Sequence, residues 1–351
     1  MPKEMTSRER VFCALGRGVP DRVPLYEGVV DERVMEALLP GCDYDAFNAW
    51  IGLDTAGLNR SSWRRDNVEY IGEEKKFFKD KWGVTRAFGP ESTPYPVKGP
   101  IERPEDLKAY RPPDPDAPDA LGHLPEVVSK YKGKKAIFWI GRDAFFNPSY
   151  LRGVENYLMD MILNPGLVHD LVEVCLSYDL RLMERAVAAG VEVVVFGDDY
   201  ADKNGPMMSP AHFREFILPG LKRAVDAAHR AGAYAVKHSD GNIWPLLDMI
   251  VGTGIDAINP IEPAAGMDIG EVKARYGDRV AVIGNIDCGE LLCWRSPAEV
   301  REAVRACLRA AARDGGHILS SSNSIHSSVR PENYLAMVKA LGEFGAYPLK
   351  V

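Results

Sequence analysis

The chain has 351 residues, 46% of them hydrophobic, and a formal charge of −7, which allows a large core and gives nucleic acid no basic face to bind. It has no 18-residue apolar run, and its opening residues Met1, Pro2, Lys3 and Glu4 lack a signal-peptide core, so the expectation is a soluble, cytoplasmic protein without a membrane partner. Six cysteines (Cys13, Cys42, Cys175, Cys288, Cys293, Cys307) form no Cys-x-x-Cys pair, so reduced thiols are expected and no thiolate zinc cluster of the finger type is encoded.

In chain order, Thr6 and Glu9 make a capping-box pattern that opens a helix ending near Gly16. Gly18, Pro20 and Asp21 mark a turn, and residues 23–27 read as a first strand. Similar apolar runs recur at 54–58, 136–140, 191–196, 233–236, 255–259, 280–283 and 317–319. Helical patterns fill the intervals, most clearly 148–163, 166–189, 210–231, 243–251 and 297–313. Ser209 before Pro210 and Ser296 before Pro297 place a capping hydroxyl ahead of a proline at the first helical position, where a missing N–H costs nothing. Between about 61 and 119, Phe77, Phe78, Trp82 and Tyr95 suggest a β-hairpin inserted after the second strand, followed by a stiff proline-rich connection at 111–118. Alternating strands and helices require parallel pairing with right-handed crossovers. No Gly-x-Gly-x-x-Gly follows the first strand, which removes support from a dinucleotide-binding open sheet. The pattern predicts an α/β fold, one (β/α)8 TIM barrel over residues 1–351, with an N-terminal helical segment and the hairpin insertion.

Such a barrel gathers the side chains just past its strand ends at one rim. Read in order, these are Glu27, Arg142 with Asp143, Asp198 with Asp199, His238 with Asp240, Asn259 with Glu262, Asn285 with Asp287, and Ser320 to His326 including Asn323. Any single Asp or Asn there is most simply a helix cap or a turn residue; seven together on one rim suggest a site. His238 has two acids in reach and is either a hydrogen-bonded structural histidine or a neutral ligand to a cation, with Asp240 or Glu262 supplying oxygen. Three protein ligands and one open position would suit catalytic zinc. Of Asp198 and Asp199, at least one must face the rim; their repulsion would raise one pKa and create a proton donor. Alternatively they attract a cation, pair with Arg142, or are neutralised by Lys203. The loop Gly205–Ser209 is apolar and could line a pocket for a flat organic substrate, with Tyr26, Phe145, Phe146 and Tyr200 as aromatic candidates.

Several segments resemble the uroporphyrinogen decarboxylase superfamily, which includes porphyrinogen decarboxylases and cobalamin-dependent methyltransferases: Thr6-Ser-Arg-Glu-Arg10 with Asp21-Arg-Val-Pro24, Ser209-Pro-Ala-His-Phe-Arg-Glu-Phe-Ile-Leu-Pro219, Gly254-Ile-Asp-Ala-Ile-Asn-Pro260, Gly284-Asn-Ile-Asp287, and Gly316-His-Ile-Leu319 with Pro331-Glu-Asn-Tyr334. The resemblance implies a barrel and splits by chemistry. Decarboxylases carry an Arg-Gln-Ala-Gly-Arg segment after the first strand, whose arginines hold substrate carboxylates, and a late Gly-His-Gly. This chain has Glu27-Gly-Val-Val-Asp31 and Ser322-Asn-Ser324 there, and buried carboxylates without paired cations are costly. The methyltransferase branch is the better match. Its zinc is held by a His-x-Cys after strand five and a cysteine after strand eight; here His238 matches, but Asp240 and Asn323 stand at or near the cysteine positions.

The resemblance therefore implies a methyltransferase that moves a methyl group from a small methylated compound, such as a methoxylated aromatic, to the Co(I) corrinoid of a separate protein, since the chain has no Asp-x-His-x-x-Gly of its own. In this reading zinc sits on His238 and Asp240 with Glu27 or Glu262. Asp198 or Asp199 protonates the leaving oxygen, and Asn285, Asn323 and His326 orient the donor, with Arg142, Tyr200 and Asn259 around it. Two alternatives stay open: a decarboxylase-like enzyme acting on a smaller acid, and a non-catalytic barrel that binds a ligand or a corrinoid protein.

Overall fold

The computed structural model describes residues 4–57, 68–72, 74, 76–89 and 93–351. Seven parallel strands form one curled sheet in chain order: β1 (Thr55–Ala56), β2 (Ala136–Gly141), β3 (Val193–Phe196), β4 (Tyr234–His238), β5 (Ala257–Asn259), β6 (Ala281–Ile283) and β7 (His317–Ile318). Helices return the chain between them, as parallel pairing demands. The longest is Pro165–Ala189, between β2 and β3. This is an α/β architecture of TIM-like barrel type.

The expected first strand, 23–27, is not a regular strand, because Pro24 has no N–H to give to a ladder. Its backbone still joins the two outer strands. Tyr26 N–H donates to Leu319 O at 2.9 Å, Leu319 N–H to Pro24 O at 2.9 Å, and Asp54 N–H to Leu25 O at 2.9 Å. The expected eight strands thus become seven plus one bridging segment.

The bridging segment is anchored by charge. Arg10, on the helix Ser7–Leu15, donates from Nε to Asp21 at 2.6 Å and from Nη1 to Asp54 at 2.7 Å. Asp54 is fully buried and also accepts from Arg22 and from Leu25 N–H, each at 2.9 Å. The Arg10, Asp21 and Arg22 of the opening motifs are therefore the clasp that holds the segment against β1.

Side chains alternate across each strand, and two cores result. Ala136, Phe138, Val193, Val195, Val236, Ala257, Ala281, Ile283 and Ile318 fill the inside of the curl with Tyr26, and Val11, Ala14 and Leu15 of the first helix belong to the same cluster. Their neighbours Ile137, Val194, Phe196, Ala235, Ile258 and Val282 pack outward against the helices.

Two other expectations change in detail. The predicted helix 148–163 is broken at Gly153, whose φ of 81° ends Phe146–Arg152 before Val154–Leu163 begins. In the inserted region the described residues form a four-stranded antiparallel sheet (Tyr70–Ile71, Phe77–Lys79, Thr85–Phe88, Pro94–Lys98) in place of a single hairpin. Leu58, at the end of the predicted second strand, and residues 61–67 of the expected insertion lie outside the described residues. No helix among the described residues is long and apolar enough to cross a membrane.

Glu27 ends the bridging segment on the outward side, buried, accepting from Ser321 N–H at 3.0 Å and Ser321 Oγ at 2.7 Å. Burial pushes its carboxyl up to about 8 against the ordinary 4.5, the Ser321 bonds opposing the shift. The folded protein therefore holds this proton more tightly than the unfolded chain. The resulting stability is complete below about pH 4.5 and is lost as pH rises toward 8. Urea unfolding at pH 5 and pH 8 should show a smaller decline for Glu27→Gln than for the wild type. Asp54→Ala strands two arginines and a backbone N–H, and should cost about 3–5 kcal/mol in the same measurement; a loss within error would show that the clasp is dispensable.

Candidate functional site

The alternation that sorts the core also sorts the strand ends. Val193 and Val195 face inward, so Gly197 and Asp199 continue that face and Asp198 does not. Val236 faces inward, so His238 does as well, while Lys237 points outward. On β5 the inward residues are Ala257 and Asn259.

Three inward groups meet. The ligand atoms of Asp199, His238 and Asp240 all lie within 4.8 Å of one another. His238 Nε2 is 3.4 Å from Asp240 Oδ1 and 3.6 Å from Asp199 Oδ1. The opposite ring nitrogen, Nδ1, is 2.6 Å from Asn259 Oδ1, and the Asn259 amide is oriented by its Nδ2 donating to Ile283 O at 3.3 Å. An amide oxygen can only accept, so Nδ1 carries the proton and the Nε2 of the neutral ring offers a lone pair toward the carboxylates.

The loop after β4 is pinned around this group. Asp240 N–H donates to Asp199 Oδ1 at 2.9 Å, and Gly241 N–H donates to Glu262 Oε2 at 2.7 Å. Gly241 has φ +83°, and a Cβ there would sit 2.6 Å from the Ala201 carbonyl carbon and Asp202 O, so only glycine lets the two loops approach. Asn323 Nδ2 donates to Asp240 Oδ2. Asp240 Oδ1 is buried with no hydrogen-bond partner. Burial raises the Asp240 carboxyl to about 7; His238 opposes the shift, Asp199 and Glu262 add to it, and the Asn323 bond opposes it.

An unpartnered carboxylate oxygen, a free imidazole lone pair and a second carboxylate within 4.8 Å fit a divalent cation with an open coordination position. Glu262 borders the group through Gly241 and adds charge without joining it. Glu27, expected as a possible ligand, is on the outward face with Ser321.

The other expected residues are placed elsewhere. Asp198 is fully buried, and its Oδ2 accepts from Phe146 N–H at 2.9 Å, Phe145 N–H at 3.0 Å and Asp143 N–H at 3.3 Å. It holds the chain between β2 and the following helix, and its other oxygen, Oδ1, faces Arg142 Nη1 at 3.5 Å. Tyr200, expected near the donor, is fully buried and donates its hydroxyl to Asp143 Oδ1 at 2.7 Å. His326 faces Cys288 O through Nε2 at 3.1 Å and accepts from Ser328 N–H through Nδ1 at 3.3 Å, so both ring nitrogens serve the local backbone. Asn285 donates to Ile261 O at 2.9 Å and is mostly buried. Lys203 is exposed and pairs with neither Asp198 nor Asp199 among the described residues. Arg142 keeps about a third of its side chain exposed, with Nη1 3.5 Å from Asp198 Oδ1 and also donating to Gly197 O.

One buried network was not singled out from the sequence. Lys237 is fully buried and donates from Nζ to Asp143 Oδ2 at 2.7 Å, Asp198 O at 2.8 Å and Phe196 O at 3.2 Å, with the Tyr200 ring centroid 3.9 Å away. The signal was a charged residue inside an apolar run at outward parity, one step before His238. This lysine ties the ends of β2, β3 and β4 together behind the rim.

Comparison with known proteins agrees with this architecture. The family model for uroporphyrinogen decarboxylase (URO-D) matches residues 79–344. The uroporphyrinogen decarboxylase of Aeromonas salmonicida is 26% identical over 262 residues, covering 70% of this chain and 70% of that protein. That of Methylococcus capsulatus is 25% identical over 261 residues, covering 70% and 71%. Among solved structures, a methyltransferase from Methanosarcina mazei superposes with a TM-score of 0.76 at 18% identity, over 97% of this chain and 99% of that one. With the family model matching residues 79–344, well over half of its length, the chain belongs to the uroporphyrinogen decarboxylase family.

Proposed function

We propose that this chain is a methyltransferase of the uroporphyrinogen decarboxylase family, moving a methyl group from a small methylated compound, such as a methoxylated aromatic, to the Co(I) corrinoid of a partner protein. The observation that carries the reading is the Asp199, His238, Asp240 group with its unpartnered Asp240 Oδ1. Asp240 stands where the methyltransferase pattern has a cysteine. The overall likeness to the Methanosarcina methyltransferase supports the barrel on which such a site would be built. The curated relatives carry the name decarboxylase, but the arginine-rich segment that such enzymes use after the first strand is replaced here by Gly28-Val29-Val30-Asp31.

Asp199, His238 and Asp240 would hold the cation, with zinc as the candidate; when bound it would draw charge from the leaving oxygen, more strongly with oxygen ligands than with thiolates. Asn259 fixes the imidazole tautomer and aim. Asn323 occupies the second oxygen of Asp240 and turns the first toward His238. Glu262 holds the Gly241 amide and keeps the loop in place. In this reading the methyl–oxygen bond would break with its electron pair left on oxygen, and the chemistry the partner's Co(I) corrinoid would supply is the electron pair for the new bond to carbon. With Asp199 and Asp240 as ligands and Asp198 held on the outward side by three amides and Arg142, the departing oxygen would take its proton from solvent at the rim.

Purified protein titrated with zinc should take up about one ion per chain, and His238→Ala should abolish that uptake. Methyl transfer to Co(I) cobalamin, followed by its visible spectrum across a panel of methylated donors, should fall to background in the same variant. Full-rate transfer by His238→Ala would remove the site from the reaction. Asn259→Ala keeps all three ligands but frees the ring, and should weaken zinc binding by about 10–100-fold; an unchanged affinity would show that the Asn259 bond does not orient the ligand.

A further inference from the structure

The inward face carries one more feature, at the end of β2. Ala136 and Phe138 point into the core, so Ile140 and Arg142 continue the same face toward the rim. Ile140 is 42% exposed although it lies on a strand. Arg142 is held in place by Nη1, which donates to Gly197 O and lies 3.5 Å from Asp198 Oδ1, and by the Phe146 ring, whose centroid is 5.1 Å from the guanidinium carbon. Its Nε and Nη2 have no partner among the described residues, and neither is among the buried unsatisfied atoms. Arg142 thus presents an oriented and unpaired N–H edge, the geometry that suits a planar carboxylate.

Gly197 lies beside Nη1 of the same guanidinium, one inward step before Asp199. Its backbone does not require glycine, since its φ is not in the left-handed region. A Cβ there would sit 3.2 Å from Ile140 Cγ2 and 3.5 Å from Arg142 Nη1. The missing side chain leaves a cradle walled by Ile140 and Arg142, two residues before Asp199 in the chain.

The charges nearby are unequal. Asp199, Asp240 and Glu262 are all acidic, so an anionic ligand needs a cation at a distance from them. Lys237 cannot serve, being fully buried on the outward side with Asp143. Arg142 continues the inward face; burial opposes its charge, Asp198 supports it most, and Tyr150 and Asp199 add to that support.

We propose that the rim is built for a methyl donor bearing a carboxylate, with Arg142 binding the carboxylate edge-on and Gly197 and Ile140 seating the apolar body that joins it to the methyl-bearing end. Gly197 and Arg142 then determine specificity. The inference rests on the methyltransferase reading for the word donor; the anion site itself does not.

The test is calorimetric titration of the zinc-loaded protein with matched pairs: 3- and 4-methoxybenzoate and methoxyacetate, each against its neutral primary amide. The expected result is at least one carboxylate binding about tenfold or more tighter than its amide, the scale of a charge-assisted pair. Arg142→Met should erase that preference and Arg142→Lys should restore part of it, while Gly197→Val should weaken binding of both members of the pair by filling the cradle. Thermal unfolding of each variant separates loss of the site from loss of the fold. If no carboxylate in the panel is preferred over its amide, or if the preference survives Arg142→Met in a folded protein, the inference is overturned. Arg142-dependent carboxylate binding without methyl transfer to Co(I) cobalamin would keep the anion site and remove the methyltransferase reading. Equal transfer from neutral donors, indifferent to Arg142→Met, would do the reverse.

Discussion

The two-residue alternation of a β-strand is the constraint on which the site depends. It separates adjacent charged residues into opposite environments: Asp199 from Asp198, and His238 from Lys237. The outward members meet the packed layer between sheet and helices, where a charge survives only if it is paired or hydrogen-bonded. Asp198 meets that demand with three backbone amides, and Lys237 with Asp143 and two carbonyls. The inward members meet the open end of the curl, where the acids are left facing one another and one histidine.

These two populations are mechanically coupled. Lys237 holds the Asp198 carbonyl, and Asp198 holds the start of the helix after β2, so the chain that carries Asp199 is fixed on both sides. Asn259 fixes the ring of His238 from the neighbouring strand, while Asn323 reaches Asp240 from beyond β7. Rigidity therefore comes from buried pairs behind the rim, and reactivity from unsatisfied groups at its surface. The raised Asp240 carboxyl follows from that arrangement: burial and two neighbouring acids favour either a proton or a cation on the group.

Much of this was legible in the sequence. Periodicity located every strand of the sheet, and the rim residues after β3, β4 and β5 followed from the strand ends. The choice between Asp198 and Asp199 stayed open, although counting by twos from Val193 assigns it. The first segment was harder, because Pro24 weakens its pairing while Arg10 and Asp54, distant in sequence, hold it in place. Tyr200 was placed at the rim as an aromatic, but its hydroxyl finds Asp143 and draws the ring inside. His326 and Glu27 looked functional by chemistry alone, and their partners Cys288 and Ser321, far off in the chain, are contacts that no local pattern encodes. The Lys237 network was missed because an apolar run conceals a charge whose partners lie on two other strands.

The central claim is that a histidine and two aspartates, with no sulfur, form the metal-binding end of this barrel. X-ray absorption at the zinc edge of the zinc-loaded protein tests it most directly, since zinc–sulfur and zinc–nitrogen or –oxygen distances differ, about 2.3 Å against about 2.0–2.2 Å. The account predicts a first shell of nitrogen and oxygen only, with the scattering signature of one imidazole that disappears in His238→Ala. A sulfur shell, or an imidazole signal that persists in that variant, would contradict it.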